Sequence, residues 1–373
     1  MAFTLQSIAG PFMTSFDSNL RADHALAVAL AALIATLFAM TLAAATPSHQ
    51  QAIVQHGVGG PEVLKLESVP VLSPGKGEVL IRVYAAAINP VDWKRRKGGG
   101  DYAMDPKGLP VMIPGGDVAG VIEKVGEGVT ALKVGEPVFA LLPRDPKRLN
   151  GGYSQYAIAP AANVMPKPKS FTYGEAAGLG IATVTGVRVV VDAKVSKGQR
   201  VLITGASGGV GTIAVQSAKA RGAYVIGTAS GRREEFLKSI GIDEFVDYTK
   251  GNFEDKVKNV DVVIDTVGAD TTDRAFKTVR RGGHFVSVAT RNYEAKCAAA
   301  NVTCPARFNA FEVGRPIFEE VAKLAAAGKL NVYIDKTFPL AQAAAAQMYS
   351  EQGRTQGKIN LIVDPLWADQ RSD

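Results

Sequence analysis

The residues best suited to chemistry are the glycines of residues 201–211, VLITGASGGVG. An apolar strand pattern leads directly into a glycine-dense turn, and an uninterrupted helical pattern follows. Glycines let the backbone turn sharply and approach a diphosphate, and the amides at the start of a helix bind anions. In the frame G-x-G-x-x-G the first glycine is replaced by alanine. The segment predicts a dinucleotide site formed by Thr204, Ala206, Ser207, Gly208, Gly209, Val210 and Gly211.

The end of the next strand indicates which dinucleotide is bound. An NAD-selective site places an acidic residue about 20 residues after the loop, but residues 228–233, TASGRR, contain none. Ser230, Arg232 and Arg233 instead suit a 2′-phosphate, because hydroxyl and guanidinium groups make charge-assisted contacts with it. We therefore predict NADPH as the cofactor. The alternative is that Arg232 and Arg233 only begin the next helix in solvent.

These residues require a sheet to position them. From residue 200 to residue 288, β-rich runs alternate with helical patterns, which predicts a parallel, doubly wound α/β sheet. Residues 265–268, DTVG, end one of its strands, where ligands of such sheets gather, so the Val267 and Gly268 backbone is expected to flank the cofactor. Residues 51–159 are mostly short β-rich runs separated by turns. The pattern of residue types changes near Tyr173. Residues 175–191 are expected to form a packed helix that crosses into the second domain.

Composition and charge exclude several classes of protein. Hydrophobic residues make up 47% of the chain and charged residues 21%, which is unlike a disordered protein. The net charge is +7, but only residues 94–97, KRRK, form a basic run, so no nucleic acid is expected as a partner. With four histidines and two cysteines in no clustered spacing, the chain is not expected to bind a metal.

An apolar segment precedes the body of the chain. Residues 25–45 carry no charge over 21 positions, so they are long enough to span a membrane as a helix or to act as a signal peptide. We expect an apolar N-terminal helix, membrane association through it, and a protein in the secretory pathway or anchored to a membrane. A plastid-like organellar envelope is the alternative location, and a buried Ala-rich helix is the alternative structure. Whether Cys297 and Cys304 form a disulfide or stay free is left open.

Several motifs together resemble the medium-chain dehydrogenase/reductase superfamily, in particular its zinc-independent quinone oxidoreductase-like and chloroplast-envelope-type members. They occur in order over residues 51–364: NPVDWK at 89–94, PGGDVAG at 114–120, GYSQYA at 152–157, the loop at 206–211, DVVIDTVG at 261–268 and GKI at 357–359. The resemblance implies a GroES-like β domain interrupted by a Rossmann nucleotide domain. The predicted division is a leader at 1–50, the GroES-like domain at 51–173 and 308–373, and the Rossmann NADP-binding domain at 174–307.

The resemblance also implies the reaction. Zinc-dependent relatives carry a Cys ligand in the first motif and Gly-His-Glu in the second, whereas residues 89–94 and 115–117 lack both ligands. Hydride would pass from NADPH to a quinone or an α,β-unsaturated carbonyl without a metal. Asn89 would lie near the nicotinamide, with Lys94, Asp92 and Tyr153 as candidate polar groups, unless Lys94 lies in a solvated loop. The resemblance also implies a homodimer. The alternative function is a non-catalytic NADPH-binding sensor or trafficking protein.

Overall fold

The computed structural model describes residues 46–98, 111–143, 148–290, 293–305 and 314–371. The sheets of this part of the chain lie within one compact unit, Ser48–Asp373. The apolar segment 25–45, for which a helix is predicted, lies outside the described residues.

The N-terminal half is the mostly β region expected from its short apolar runs. Its strands are β1 (His49–His56), β2 (Leu64–Pro70), β3 (Glu78–Ile88), β4 (Val111–Met112), β5 (Asp117–Val125), β6 (Pro137–Leu141), β7 (Tyr156–Pro160) and β8 (Val164–Pro166). Strand β1 pairs antiparallel with β2 and β4, whereas β3 pairs with β5 and β7, and β6 joins β5 to β8. The apolar faces of the two sheets share one core.

The parallel nucleotide sheet predicted from the sequence is present. Its strands are β9 (Arg200–Thr204), β10 (Tyr224–Ala229), β11 (Glu244–Asp247), β12 (Val260–Asp265) and β13 (Val279–Ser287). Among the described residues their order is β11-β10-β9-β12-β13, and every pairing is parallel. The chain order therefore reverses between β9 and β12, which is the switch point of the sheet. Ligands of such sheets bind at the switch point, outside the carboxyl ends of the strands.

Helices cover both faces of the parallel sheet and connect it to the β region. In the part of the chain that the structure describes they are α1 (Pro90–Arg96), α2 (Tyr173–Ala177), α3 (Ile181–Asp192), α4 (Gly209–Ala220), α5 (Glu234–Ser239), α6 (Phe253–Lys256), α7 (Asp270–Phe276), α8 (Glu294–Ala300), α9 (Arg315–Ala326) and α10 (Ala343–Glu351). The single helix expected at 175–191 is two helices, α2 and α3. Gly180 precedes α3, and a Cβ there would lie 2.2 Å from Asp117 Oδ1, so the break allows this carboxylate to approach the backbone.

The C-terminal tail returns to the β region. Strand β14 (Ile334–Pro339) pairs parallel with β15 (Lys358–Ile362), and β15 pairs antiparallel with β3. The chain therefore leaves the β region, forms the parallel sheet and comes back. The domain bounds at 173 and 307 stay a prediction.

Helix α3 supports helix α4, which begins at the nucleotide loop. Gly186 is buried where they meet, and a Cβ there would lie 2.7 Å from Ile213 Cβ and 2.9 Å from Val210 O. The two helices can approach this closely only because residue 186 has no side chain.

Gly186→Ala is expected to lower the free energy of unfolding by about 1 to 3 kcal/mol, because the tight contact must open. Helix propensity alone predicts the opposite sign, since alanine in a helix interior is better than glycine by about 0.5 to 1 kcal/mol. Urea unfolding of both proteins measures the difference. A more stable variant would contradict the close contact between α3 and α4.

Candidate active site

A cleft of about 1440 Å³ lies at the carboxyl ends of the parallel strands. One wall consists of the nucleotide loop and the ends of β10, β12 and β13, and the other of α1, the start of α3 and residues 353–359. Small-molecule sites are usually about 300 to 1,000 Å³. The cleft therefore has room for a dinucleotide together with an acceptor.

The sharp turn between β9 and α4 is made at Gly205. Its φ is +61°, and a Cβ there would lie 2.7 Å from Thr266 Oγ1. Ala206, which takes the first glycine position of the motif frame, is fully buried and donates its amide to Thr228 O at 3.0 Å. Gly205 therefore supplies the turn. The motif G-x-G-x-x-G does not reveal this glycine, because its frame begins at Ala206, one residue later.

The N-terminus of α4 opens into the cleft. Gly208 is its N-cap in extended conformation, and Ser207, Gly208, Gly209 and Val210 all line the cleft. The first amides of a helix have no carbonyl partner within that helix, so they attract anions. The loop is fixed from the other wall, because Gly357 N donates to Ser207 O at 2.9 Å. This geometry suits a diphosphate.

Gly211 and Thr204 support the loop from beneath. A Cβ at Gly211 would lie 2.2 Å from Gly205 O, so the loop can lie on the helix only if residue 211 is glycine. Thr204 is 1% exposed and donates Oγ1 to Asp265 Oδ1 at 2.7 Å. Both residues shape the site without lining it.

Asp265, fully buried at the end of β12, connects the elements around the switch point. Besides Thr204, its carboxylate accepts Thr272 Oγ1 at 2.7 Å, Ser287 Oγ at 2.9 Å, Val267 N at 3.1 Å and Gly268 N at 3.3 Å. The amides of Val267 and Gly268 are therefore engaged below the cleft. Of these two, the Val267 side chain lines the cleft and is 53% exposed.

The end of the cleft next to the carboxyl end of β10 is basic. Ser230, Arg232 and Arg233 line it, and Arg354 joins them from the segment after α10. Arg232 and Arg354 are exposed, whereas Arg233 donates to Gln356 Oε1 at 2.5 Å and to Arg354 O at 2.7 Å. Arg233 therefore joins the two walls and does not simply begin a helix in solvent. Arg354 could not be found from the sequence, since it lies more than 120 residues from Arg232.

Asn89 lies in a buried network on the wall opposite the loop. Its Nδ2 donates to Asp117 Oδ2 at 2.8 Å, and its Oδ1 accepts from Lys358 Nζ at 2.6 Å. Lys358 Nζ also donates to Ile88 O at 2.7 Å and lies 3.9 Å from Asp117 Oδ2. Both Asn89 and Lys358 line the cleft. Both side-chain polar atoms of Asn89 are thus engaged, and Lys358 is a site residue that the sequence analysis did not single out.

The burial of this network changes its acid–base chemistry. Burial raises the pKa of Asp117 to about 6, although the Lys358 ammonium and the Asn89 amide oppose the shift. Burial likewise lowers the pKa of Lys358, against the attraction of Asp117 and Asp92. Burying the Asp117 carboxylate or the Lys358 ammonium alone would cost free energy, and the attraction between them offsets part of that cost.

Lys94 and Tyr153 lie in different surroundings. Lys94 is partly exposed, lines the cleft, and has its Nζ 5.7 Å from the centre of the Trp93 ring. Tyr153 is fully buried and donates its hydroxyl to Asp92 Oδ2 at 2.8 Å. It does not line the main cleft, so the structure does not bring Tyr153 together with Asn89 and Lys94 at its surface.

Cys297 and Cys304 form a disulfide with their Cα atoms 6.2 Å apart. The bond joins the middle of α8 to Cys304, and the neighbouring Thr303 bridges to His284 of β13. This decides the question that the spacing of the two cysteines leaves open. Neither thiol is available as a metal ligand.

Two family models match the chain. The alcohol dehydrogenase GroES-like domain matches residues 75–169, and the model described as zinc-binding dehydrogenase matches residues 240–361. The chain is 36% identical to the chloroplastic NADPH-dependent alkenal/one oxidoreductase of Arabidopsis thaliana over 337 residues, 88% of this chain and 82% of the relative. The chain belongs to the medium-chain dehydrogenase/reductase superfamily.

Two further proteins of this superfamily are similar over most of the chain. The mitochondrial NAD(P)H oxidoreductase RTN4IP1 of Mus musculus is 32% identical over 327 residues, 76% of this chain and 82% of that protein. The solved structure of the quinone oxidoreductase from Coxiella burnetii has a TM-score of 0.76 at 30% identity, covering 84% of this chain and 99% of that one. The GroES-like and Rossmann-type regions expected from the motifs are therefore confirmed.

The positions of the family's zinc ligands carry other groups here. Asp117 of the second motif accepts Ile181 N at 2.8 Å and the Asn89 amide, and the cysteines are paired with each other. Within the described ranges, no group of three or more His, Cys, Asp or Glu residues could hold a metal ion. This set of donors does not fit zinc, which prefers clustered thiolate and imidazole ligands.

The expected location in the secretory pathway or at a membrane is wrong. Two of the relatives are named as chloroplastic and mitochondrial proteins. In the part of the chain that the structure covers, no helix has the length and apolar character needed to cross a membrane. The expectation followed from residues 25–45, whose apolar composition fits several kinds of leader segment.

Asp117→Asn tests the buried network through pH. A raised pKa means that the protonated carboxyl is favoured in the folded state, so this stabilisation is present near pH 4 and is lost as the pH rises through about 6. The stability of wild type relative to the variant is therefore expected to fall by at most about 3 kcal/mol between pH 4 and pH 7. Urea unfolding of both proteins at each pH measures it. A difference that does not change with pH would contradict the assignment.

Proposed function

We propose that the protein is an NADPH-dependent, zinc-independent reductase that transfers hydride to a quinone or to an α,β-unsaturated carbonyl. The observation that carries this proposal is the open N-terminus of α4 at the switch point of the parallel sheet, facing a cleft that is basic at one end. The relatives named as alkenal/one and quinone oxidoreductases support the acceptor class. The non-catalytic sensor or trafficking alternative has no comparable support from them.

The residues of the cleft fit NADPH. The amides of Ser207, Gly209 and Val210 would hold the diphosphate, because the Gly208 amide already donates to Gly205 O. Ser230 and Arg232 would hold the 2′-phosphate, with Arg354 and Arg233 beside them. The cofactor, when bound, supplies the hydride. No carboxylate replaces the arginines at the end of β10, so the basic end favours NADPH over NADH.

Lys358 is proposed to contribute to the same site. Its Cδ would lie 3.1 Å from a Cβ at Gly209, so its side chain passes directly beside the first turn of α4. An ammonium has three N–H donors, and Ile88 O and Asn89 Oδ1 accept two of those of Lys358. The third donor would bind the cofactor or the acceptor. A positive charge there would stabilise either the diphosphate or the developing oxyanion.

The roles predicted for Asn89, Lys94 and Tyr153 are proposed in revised form. Asn89 positions Lys358, because both of its side-chain polar atoms are already engaged. Lys94 lines the part of the cleft formed by α1, which we call the acceptor end, and it would contact the substrate there. Tyr153 acts through Asp92 and does not contact the acceptor itself. The homodimer stays a prediction.

Helix α1 keeps the acceptor end rigid. Arg96 is fully buried and donates Nε to Gln347 Oε1 at 2.7 Å, and it also pairs with Glu351. Trp93 Nε1 donates to Ser350 Oγ at 3.2 Å, so these three side-chain contacts join α1 to α10. Rigid walls exclude water from the cleft and hold the acceptor in one orientation, which favours hydride transfer over side reactions.

Steady oxidation of NADPH with benzoquinone or methyl vinyl ketone as acceptor tests the proposal. Wild type is expected to turn over with at least one of the two. Arg232→Ala is expected to raise the KM for NADPH by about 10-fold or more while leaving that for NADH unchanged, because a charge-assisted contact is lost.

Lys238→Ala is the matched control, since it removes an exposed cation from α5 that pairs with Glu234 outside the cleft lining. It should behave like wild type. Tight NADPH binding without turnover across a wider panel of quinones and enones would contradict the proposal in favour of the non-catalytic alternative. Equal losses for NADPH and NADH in Arg232→Ala would contradict the cofactor preference.

A further inference from the structure

A second, much smaller cavity lies next to the cleft. Its volume is about 20 Å³, and it is lined by residues that include Gln55, Asp92, Arg95, Gly116 and Gly151. Arg95 and Ile181 line both the cavity and the main cleft, so the two spaces are adjacent. A cavity needs about 10 to 15 Å³ to hold one water molecule. This one has room for a single water and not for an organic ligand.

Gln55 provides a buried acceptor at this cavity. It is 1% exposed, and its Nε2 donates to Gly57 O at 2.8 Å, which fixes the orientation of the amide. Its Oε1 is buried and has no hydrogen-bond partner within the described ranges. A buried carbonyl oxygen without a donor is unfavourable, so this oxygen requires an occupant that can donate a hydrogen bond.

Asp92 provides the second polar group. It is 5% exposed, and its Oδ2 accepts both Asn89 N at 2.9 Å and Tyr153 O–H at 2.8 Å. Two donors on Oδ2 hold the carboxyl in a single orientation, so a proton carried by Asp92 belongs on its other oxygen, Oδ1. Burial raises the pKa of Asp92, so its protonated form persists to higher pH than that of an exposed aspartate.

From this arrangement we infer that the cavity holds one water molecule, bound by Gln55 Oε1 and the Asp92 carboxyl, which delivers the proton that the reduced acceptor needs. The inference rests on the proposed function, because hydride transfer to an enone leaves an enolate that must be protonated. Asp92 is then the acid that returns a proton to the water, Gln55 positions the water, and Tyr153 positions Asp92.

An enone needs one hydride and one proton to be reduced to the saturated ketone. Hydride adds to the β-carbon with its electron pair, and the π electrons of the C=C bond move onto the carbonyl oxygen, so the cofactor is oxidised and the acceptor is reduced. One O–H bond of the water breaks as its proton passes to the enolate. The O–H bond of the Asp92 carboxyl breaks in turn and its proton restores the water. Asp92 is left as a carboxylate and takes up a proton from solvent before the next turnover.

The test compares Gln55→Met with Gln50→Met. Both glutamines are buried in β1, but Gln50 Oε1 accepts Tyr156 N at 2.6 Å and lies outside the cavity lining. Gln55→Met keeps the side-chain length and removes the acceptor of the water. With methyl vinyl ketone it is expected to lower kcat about 10-fold or more, to enlarge the solvent deuterium isotope effect and to reduce the isotope effect of deuterated NADPH. Its Kd for NADPH should stay unchanged, and Gln50→Met should match wild type in all four quantities.

The possible outcomes separate this inference from the proposed function. If wild type does not turn over, the proposed function fails. If wild type turns over and the two variants have the same kcat and isotope effects, only the proton path is overturned. Should Gln55→Met fail to fold, a high-resolution crystal structure of wild type decides: a water within hydrogen-bond distance of both Gln55 Oε1 and Asp92 supports the path, and an empty cavity overturns it.

Discussion

The carboxylate of Asp265 is the interaction on which the geometry of the cleft depends. A buried charge is tolerated only where donors surround it, and five hydrogen bonds reach this one. Their donors lie on β9, β13, α7 and the turn at 266–268, so one side chain fixes the strand ends around the switch point. The glycine loop can then turn sharply above them and leave the first amides of α4 open to an anion.

The opposite wall is fixed by the same principle. Lys358, Asn89 and Asp117 are nearly or fully buried, and each of them reduces the cost of burying the others. Asp117 also accepts the first amide of α3, and the residue before Lys358 donates to the nucleotide loop. Hydrogen bonds therefore join the β region to α3 and to the nucleotide loop. A cofactor bound there would touch both halves of the molecule.

The features that follow from local sequence were predictable. The strand, glycine turn and helix at residues 201–211 lie within one short segment, and the alternating pattern after it specifies a parallel sheet. The contacts that complete the site were not predictable, because their partners are distant in sequence: Lys358 lies 150 residues after Gly208, and Arg354 reaches Arg233 only in the folded chain. Tyr153 illustrates the same limit, since only tertiary structure shows that its hydroxyl is directed to Asp92 and not to the cleft. The secretory expectation failed for another reason, because hydropathy measures how apolar a segment is and not which targeting machinery reads it.

We propose that the open amides of α4 hold the diphosphate of NADPH in this cleft. Calorimetric titration of the purified chain with NADPH tests it directly, without an acceptor and without any variant. The account predicts saturable binding of one NADPH per chain and weaker binding of NADH. The absence of binding heat and of any change in cofactor fluorescence with both nucleotides would contradict it.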